Sequence, residues 1–284
     1  MLDIILIIAR FILLVALAPF IGGLIGKIKN DLRMRKGQPV LQPYYNLRKL
    51  FSKEAIIPVN SSWIFTCAPF IILASALACI LLLPNASQIR SPDGAASLLI
   101  IIFVLALGRF FQALAGLDAG SSFGGMGSSR EMFISSFVEP VACLSIFSLI
   151  LSGANFSVST ILTGLALLTV ILTETSRLPV DNQETHLELT MIHEAMVLDY
   201  SGPHLAIIEL ASYIRQIFWI TLLALIILPT YPLIAIGSAV IAICVLIAFI
   251  EIGIAKFRLF RVPNLLMFGF LLALLSIAAA LVRI

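Results

Sequence analysis

Charge is scarce in this chain, and that scarcity excludes most protein classes. Lysine, arginine, aspartate and glutamate together make up 12% of the 284 residues, while 61% are hydrophobic. So little polar surface rules out a soluble domain or a nucleic-acid binder. Cysteine is also sparse: Cys67, Cys79, Cys143 and Cys244 lie far apart, each inside an apolar run. No pair stands at a metal-ligand or cluster spacing, so they read as buried inert thiols, and no metal site or redox centre is expected in this chain. His193-Glu194 opens like a zinc-protease helix, but position 197 is valine where a second histidine is required. His186 and His204 likewise read as helix-end or polar-pocket residues. The stretch Gly120–Ser129 is rich in glycine and serine yet lacks the Gly-Lys-Ser/Thr ending of a phosphate loop. It reads as a flexible loop or a close helix contact. Nothing here forms a self-contained catalytic site.

What the chain does have is long apolar runs. A hydrocarbon core about 30 Å thick takes roughly 20 apolar residues per helix. Eight such runs are marked, near Ile4–Ile25, Trp63–Leu83, Ser97–Leu117, Met132–Leu151, Phe156–Thr173, His204–Leu228, Leu233–Ile254 and Leu265–Val282. The fifth is short and threonine-rich. The fold class is an all-α polytopic membrane protein of about eight spans, with residues 1–284 as one integral domain. The first run lacks a basic start and a small-residue cleavage site and carries Arg10, so it reads as a span, not a signal peptide.

Basic residues orient the bundle. Lys27, Lys29, Arg33, Arg35, Lys36, Arg48, Lys49 and Lys53 crowd the first loop; Arg130, Arg177, Lys256, Arg258 and Arg261 fall in later odd-numbered loops, and the even loops hold only Arg90. By the positive-inside rule the odd loops face the cytoplasm and both termini face outward. The first loop, 27–62, contains an amphipathic piece, Tyr44 to Phe51. Leu47, Leu50 and Phe51 fit the membrane face while Arg48, Lys49 and Lys53 reach headgroups or a partner.

The remaining acids are concentrated. Between Glu174 and Gly202 stand Glu174, Asp181, Glu184, Glu188, Glu194 and Asp199 against a single Arg177, six of fifteen acids in the chain. Pro179 should end any incoming helix, and a short helix is expected from Glu184 to Leu198. This acidic loop, 174–203, suggests a docking surface, an ion path, or both. Glu139, Glu209 and Glu251 sit in or near spans, as do Arg10, Arg109 and Arg215. An ionisable group there costs roughly 2.5–3.5 kcal/mol and needs a partner or a wet cavity. Glu209 and Arg215, six apart on one helix, do not face each other. Structural ion pairs would satisfy these groups; several carboxylates together fit a hydrated proton or cation route better.

Glu174-Thr-Ser-Arg177-Leu-Pro179-Val-Asp181, with Glu184, Glu188 and Tyr200-Ser201-Gly202, resembles the signature of the respiratory complex I subunit 1 family. Gly37, Gln42-Pro43, Lys53-Glu54 and Pro58 in the first loop, Arg130 with Glu139-Pro140, and Arg258 to Pro263 are similar too. Within that family, Thr185 to Ala206 resembles the membrane subunits of formate hydrogenlyase and energy-converting nickel–iron hydrogenases. Complex I subunits space their Tyr-Ser-Gly more closely and carry an extra acid where His186 stands.

The resemblance implies a multi-pass subunit of the cytoplasmic (inner) membrane that anchors a peripheral redox arm and couples electron transfer to proton or cation translocation. Implied partners are hydrogenase large and small subunits, which would hold the nickel–iron centre and iron–sulfur clusters, and antiporter-like membrane subunits. Glu139, Glu174 and Glu209, with Glu251 less securely, would line an ion path. Arg177, Asp181, Glu184, Glu188, Glu194 and Asp199 would face the arm, with Arg177 pairing among those acids. Arg33, Arg35, Arg48, Lys49 and Lys53 would meet a partner or the membrane surface. A complex I-type quinone oxidoreductase subunit and a passive membrane anchor remain as alternatives, with quinone binding open.

Overall fold

The computed structural model describes residues 2–84, 89, 91–152, 157–181, 190–228 and 233–282. Nine α-helices occupy them: α1 (Leu2–Leu32), α2 (Gln42–Phe51), α3 (Trp63–Leu82), α4 (Pro92–Asp118), α5 (Ser122–Ser152), α6 (Val158–Glu174), α7 (Gly202–Ile227), α8 (Leu233–Gly253) and α9 (Val262–Val282). No strand occurs among the described residues. Seven of these helices are long and apolar enough to cross a membrane, and the chain is a multi-pass membrane protein. The eighth apolar helix, α6, has 17 residues and so spans only about 26 Å.

Local chemistry starts these helices. The Ser62 side chain accepts from Ile64 N at 3.2 Å to cap α3, and Ser91 accepts from Gly94 N at 3.1 Å, with Pro92 in the first turn of α4. Ser157 and Thr160 form a reciprocal capping box at the start of α6. Pro203 opens α7 behind Ser201. Pro140 removes a backbone donor inside α5, immediately after Glu139.

Helix α7 is the central post. It is buried along most of its length and packs against α1, α2, α3, α6 and α8. The helices α5, α6 and α9 form a second close group, and α4 links it to α3. Without an apolar driving force between lipid-facing helices, close backbone approach and hydroxyl bonds hold such a bundle. Thr163 Oγ1 bonds Ser159 O at 2.8 Å and the Ser276 hydroxyl at 2.6 Å, Ser276 also donates to Ser159 O at 3.0 Å, and Ser148 joins the same cluster. At the corner between α4 and α5 a side chain on Gly124 would come within 2.4 Å of Gly116 O. The glycine-serine stretch therefore serves close helix packing.

The loops meet at one end of the bundle. Asp118 Oδ2, at the end of α4, accepts from Ser62 N (2.8 Å) and Phe65 N (3.2 Å). Tyr200 donates to Phe65 O at 2.8 Å, and its ring stacks on Phe65 with centroids 4.0 Å apart. The Ser201 hydroxyl accepts from Ile56 N at 2.8 Å, and Phe257 N donates to Pro179 O at 2.8 Å. This is the end that carries the clustered basic residues, so the first loop and the acidic insert form one assembled face.

Several boundaries depart from the sequence reading. Helix α1 runs to Leu32, which makes Lys27 and Lys29 helical and starts the first connecting segment at residue 33, not 27. Helix α5 begins ten residues before Met132, and α9 begins at Val262. The helix expected from Glu184 to Leu198 is absent from its described part. Residues 182–189 lie outside the described residues, and beyond them only a single 3₁₀ turn, Glu194–Met196, forms. The cause is local: Asp181 Oδ2 takes the amides of Ile192 (3.0 Å) and His193 (3.2 Å), which an α-helix would need for its own ladder.

Gly202 has φ +54, and a side chain there would meet Glu54 O at 2.4 Å. Gly202→Ala should lower stability by roughly 1–3 kcal/mol through left-handed strain plus the clash. Gly237→Ala, where nothing lies within 4 Å, should be neutral or slightly stabilising. Thermal unfolding in detergent compares the two; equal midpoints would contradict the assigned contact.

Candidate functional site

Arg109 lies on α4 inside the bundle and is 5% exposed. A guanidinium does not deprotonate in a protein, so its burial demands nearby carboxylates. Two answer. Nη1 lies 2.9 Å from Glu174 Oε1, on the last residue of α6, and Nη2 lies 3.8 Å from Glu139 Oε1 on α5. Glu131 also acts electrostatically on the same guanidinium, more strongly than Glu139. Arg109 Nε has no partner among the described residues. The Glu174 side chain is almost fully buried, whereas 40% of the Glu139 side chain is exposed, so the pair runs from the interior to the flank of the bundle.

Glu174 also borders a small cavity of about 50 Å³ on its other side, shared with His193, Glu194, Glu209, Tyr213, Arg215 and Gln216. Since a water's share of liquid volume is about 30 Å³, the cavity has room for one or two waters among several polar partners. On the other side of Glu174 a packing gap too small for water is lined by Arg109, Glu139 and Trp219. One carboxylate thus stands between a polar cavity and an outward-opening carboxylate.

His193 closes the inner wall. Its Nε2 lies 3.1 Å from Gln112 Nε2 and 3.4 Å from Arg215 Nη2. Arginine can only donate, so Nε2 accepts and the neutral ring carries its proton on Nδ1. Burial, then the charges of Arg215 and Arg109, hold its pKa down to about 3. Beside it Glu194 is pushed up to about 7 by burial and by Asp181 and Glu209. Its raised proton affinity follows first from burial and then from the neighbouring acids.

A second set of pairs lies nearer the loops. Glu251 on α8 is met by Lys29 of α1 (3.1 Å) and by Arg177 (2.5 Å), all largely buried. Asp181 is buried and bonded by Lys256 Nζ at 2.7 Å, which also reaches Thr190 O at 2.7 Å. Lys29, Arg177, Glu251 and Asp181 border a cavity of about 690 Å³ that also touches Arg33, Arg35, Tyr213 and the start of α2.

The expected site residues therefore separate. Glu139 and Glu174 come together through Arg109, and Glu209 joins Glu174 across the small cavity. Glu251 stands apart in its own ion triad. Among the described residues Arg177 pairs with Glu251, because α8 brings a buried carboxylate within reach. Asp181 is buried under Lys256 and Asp199 accepts from the Ser121 hydroxyl at 2.5 Å; Glu184 and Glu188 lie outside the described residues. Arg48 and Lys49 are exposed on α2, and Lys53 is exposed just beyond it. Gln112, Glu131, Lys29 and Lys256 went unassigned in the sequence. An arginine in the middle of an apolar run, as at Arg109, signals that span carboxylates must converge on it. No comparable signal marks Lys29 or Lys256, whose partners are more than seventy positions away.

The NADH dehydrogenase family matches residues 3–282. Hydrogenase-4 component C of Escherichia coli (strain K12) is 29% identical over 94% of this chain and 93% of its own length. Formate hydrogenlyase subunit 4 of the same organism is 26% identical over 95% and 96%. Among solved structures, the membrane-bound sulfane sulfur reductase, an archaeal respiratory membrane complex, contains a chain with the same fold: TM-score 0.74, covering 96% of this chain and 99% of that one at 16% identity.

Glu194 and His193 should oppose each other in the pH dependence of stability. Glu194 holds its proton up to about 7 against an ordinary 4.5, so its contribution is full below 4.5 and lost as pH rises through 7. His193 is held near 3 against 6.5, so its contribution is full above 6.5 and lost as pH falls through 3. Between 4.5 and 6.5 the slopes cancel. Glu194→Gln removes only the first. Relative to the parent, its unfolding free energy should rise from pH 4.5 to 7, by at most about 1.36 kcal/mol per pH unit. Parallel pH curves would show that Glu194 titrates normally.

Proposed function

The chain belongs to the NADH dehydrogenase family, and from that premise we propose that it is the membrane subunit of a multi-subunit hydrogenase of formate hydrogenlyase or energy-converting type. It anchors a peripheral redox arm at the face built from the first loop and the acidic insert, and it couples electron transfer in that arm to movement of a proton or other cation. The near-full-length likeness to hydrogenase-4 component C and formate hydrogenlyase subunit 4 supports the branch. The observation that carries the coupling is the position of Glu174, which borders the small polar cavity on one side and reaches Glu139 through Arg109 on the other.

In this reading the nickel–iron centre and iron–sulfur clusters belong to the large and small partner subunits. An electron arriving near the assembled face adds negative charge where the dielectric is low. Proton affinity then rises at the nearest carboxylates, with Glu194 and Glu209 bordering the cavity first. Glu174 takes the proton across, and Arg109 keeps the pathway from holding an uncompensated charge. Glu139, half open on the bundle flank, hands it to an antiporter-like membrane subunit. The compartment is the cytoplasmic membrane, with the assembled face inward.

A quinone-reducing role has one observation in its favour, the size of the large cavity, which lies within the range of about 300–1,000 Å³ usual for ligand sites. Among the described residues its wall is mainly charged and polar, with Leu178, Pro39, Pro43 and Tyr213 as the larger apolar groups, which favours the hydrogenase reading.

The assembled complex, purified through a tag on this chain, should contain a nickel–iron large subunit and no NADH-oxidising subunits. In vesicles, Glu139→Gln should lower ion uptake per electron by at least about tenfold, the lower side of a lost proton-transfer group, while electron transfer continues. Full coupling in Glu139→Gln would reduce the subunit to a passive anchor.

A further inference from the structure

A proton bound for Glu194 or Glu209 must first cross from the loop face into the bundle. The large cavity, about 690 Å³, begins at that face: Arg35, Lys36, Gln38 and Pro39 on its wall are exposed. It reaches inward to Leu178, Asp181 and Glu251, all buried. The small cavity, about 50 Å³, has Glu174, Glu194 and Glu209 on its own wall. Among the described residues only Ser176 and Tyr213 border both.

The end of α6 accounts for the first of these. Ser176 N bonds Thr173 O (3.1 Å), Arg177 N bonds Leu172 O (3.0 Å) and Ser176 takes φ 50, which together make a Schellman turn. The turn leaves Glu174 on the wall of the small cavity and carries Arg177 to the wall of the large one, with Ser176 between. Tyr213 belongs to α7, and its ring edge lies against α1. A side chain on Gly22 would come within 2.7 Å of Tyr213 Cε1. The charges that act on its hydroxyl also belong to both cavities, Arg177 to the large one and Glu209 and Glu194 to the small.

Both shared side chains end in hydroxyls, and neither hydroxyl has a hydrogen-bond partner among the described residues. A hydroxyl drawn into a bundle ordinarily finds one. With a polar cavity on either side, the partner left to them is water. We propose that Tyr213 is the entry residue of the proton route, passing protons from water in the large cavity to the acids of the small one; this rests on the coupling reading above. Its oxygen takes a proton from a water on one side as it gives its own to a water or carboxylate on the other. One proton crosses and the phenol is left unchanged. The Ser176 hydroxyl, donor and acceptor at once, helps to hold that water.

The purified full chain tests this without its redox partners. A rapid drop in pH through the neutral range protonates Glu194, whose pKa is pushed up to about 7. Its carboxyl infrared band, identified by its loss in Glu194→Gln, reports how fast the proton arrives. Tyr213→Phe keeps the ring against Gly22 and removes only the hydroxyl. It should slow the band's appearance about a hundredfold, the low end for a lost proton-transfer group, and leave the midpoint of its titration in place. Tyr45→Phe, exposed on α2 and bordering neither cavity, should match the parent. An unchanged rate in Tyr213→Phe, a shifted midpoint at an unchanged rate, or equal slowing in Tyr45→Phe would overturn the assignment. Slowing in Ser176→Ala but not in Tyr213→Phe would overturn it too, by moving the entry to Ser176. In the assembled complex Tyr213→Phe should also lower ion uptake per electron. A parent complex that moves no ions would sink the coupling reading, while the band kinetics would still decide on Tyr213 alone.

Discussion

A buried guanidinium sets the terms for the rest of this structure. Arg109 cannot shed its charge, and it lies in the middle of a bundle whose surroundings are hydrocarbon. The cost of that burial is offset only if carboxylates reach it from other helices, and they do: Glu174 from the end of α6 and Glu139 from α5. These contacts tie the end of α6 to α4 and α5. The same logic recurs at Glu251, where a buried acid holds Lys29 of α1 and Arg177 together. In a chain this poor in charge, a large share of the charged groups therefore sits in pairs that join distant segments.

The polarity is graded along the bundle. In the α5–α6–α9 group the glue consists of hydroxyls: Ser148, Ser159, Thr163 and Ser276 bond one another and nearby carbonyls. Such bonds average about 0.6 kcal/mol in membrane helices and move no charge. Toward the loop end the bonds become ionic, and polar cavities open beside them. Rigid packing thus belongs to one region and protonatable groups to the other. That division suits a subunit that must stay anchored while charges rearrange at the face toward its redox partner.

The spans were legible in the sequence because length and apolar character are nearly sufficient in a bilayer. The pairing was less so. Glu139, Glu174 and Arg109 could each be marked as unusual, but that they share contacts could not, since 30 and 65 positions separate Arg109 from the two acids and no periodicity connects the three. The departures have local causes. Lys27 and Lys29 looked like loop residues, yet α1 continues through them because its end is capped by the 33–35 backbone. The helix expected around Glu194 is displaced by Asp181, whose carboxylate takes two of the amides it needed. Arg177 was expected among the acids of its own insert; among the described residues it crosses to Glu251, a buried carboxylate that α8 brings within reach.

The central claim is that Glu174 changes protonation when the attached arm changes redox state. Redox-induced infrared difference spectroscopy of the assembled complex tests it most directly. The account predicts a carboxyl band that appears or disappears on reduction and is missing from Glu174→Gln while the cofactor signals persist. Identical difference spectra from parent and variant would contradict it.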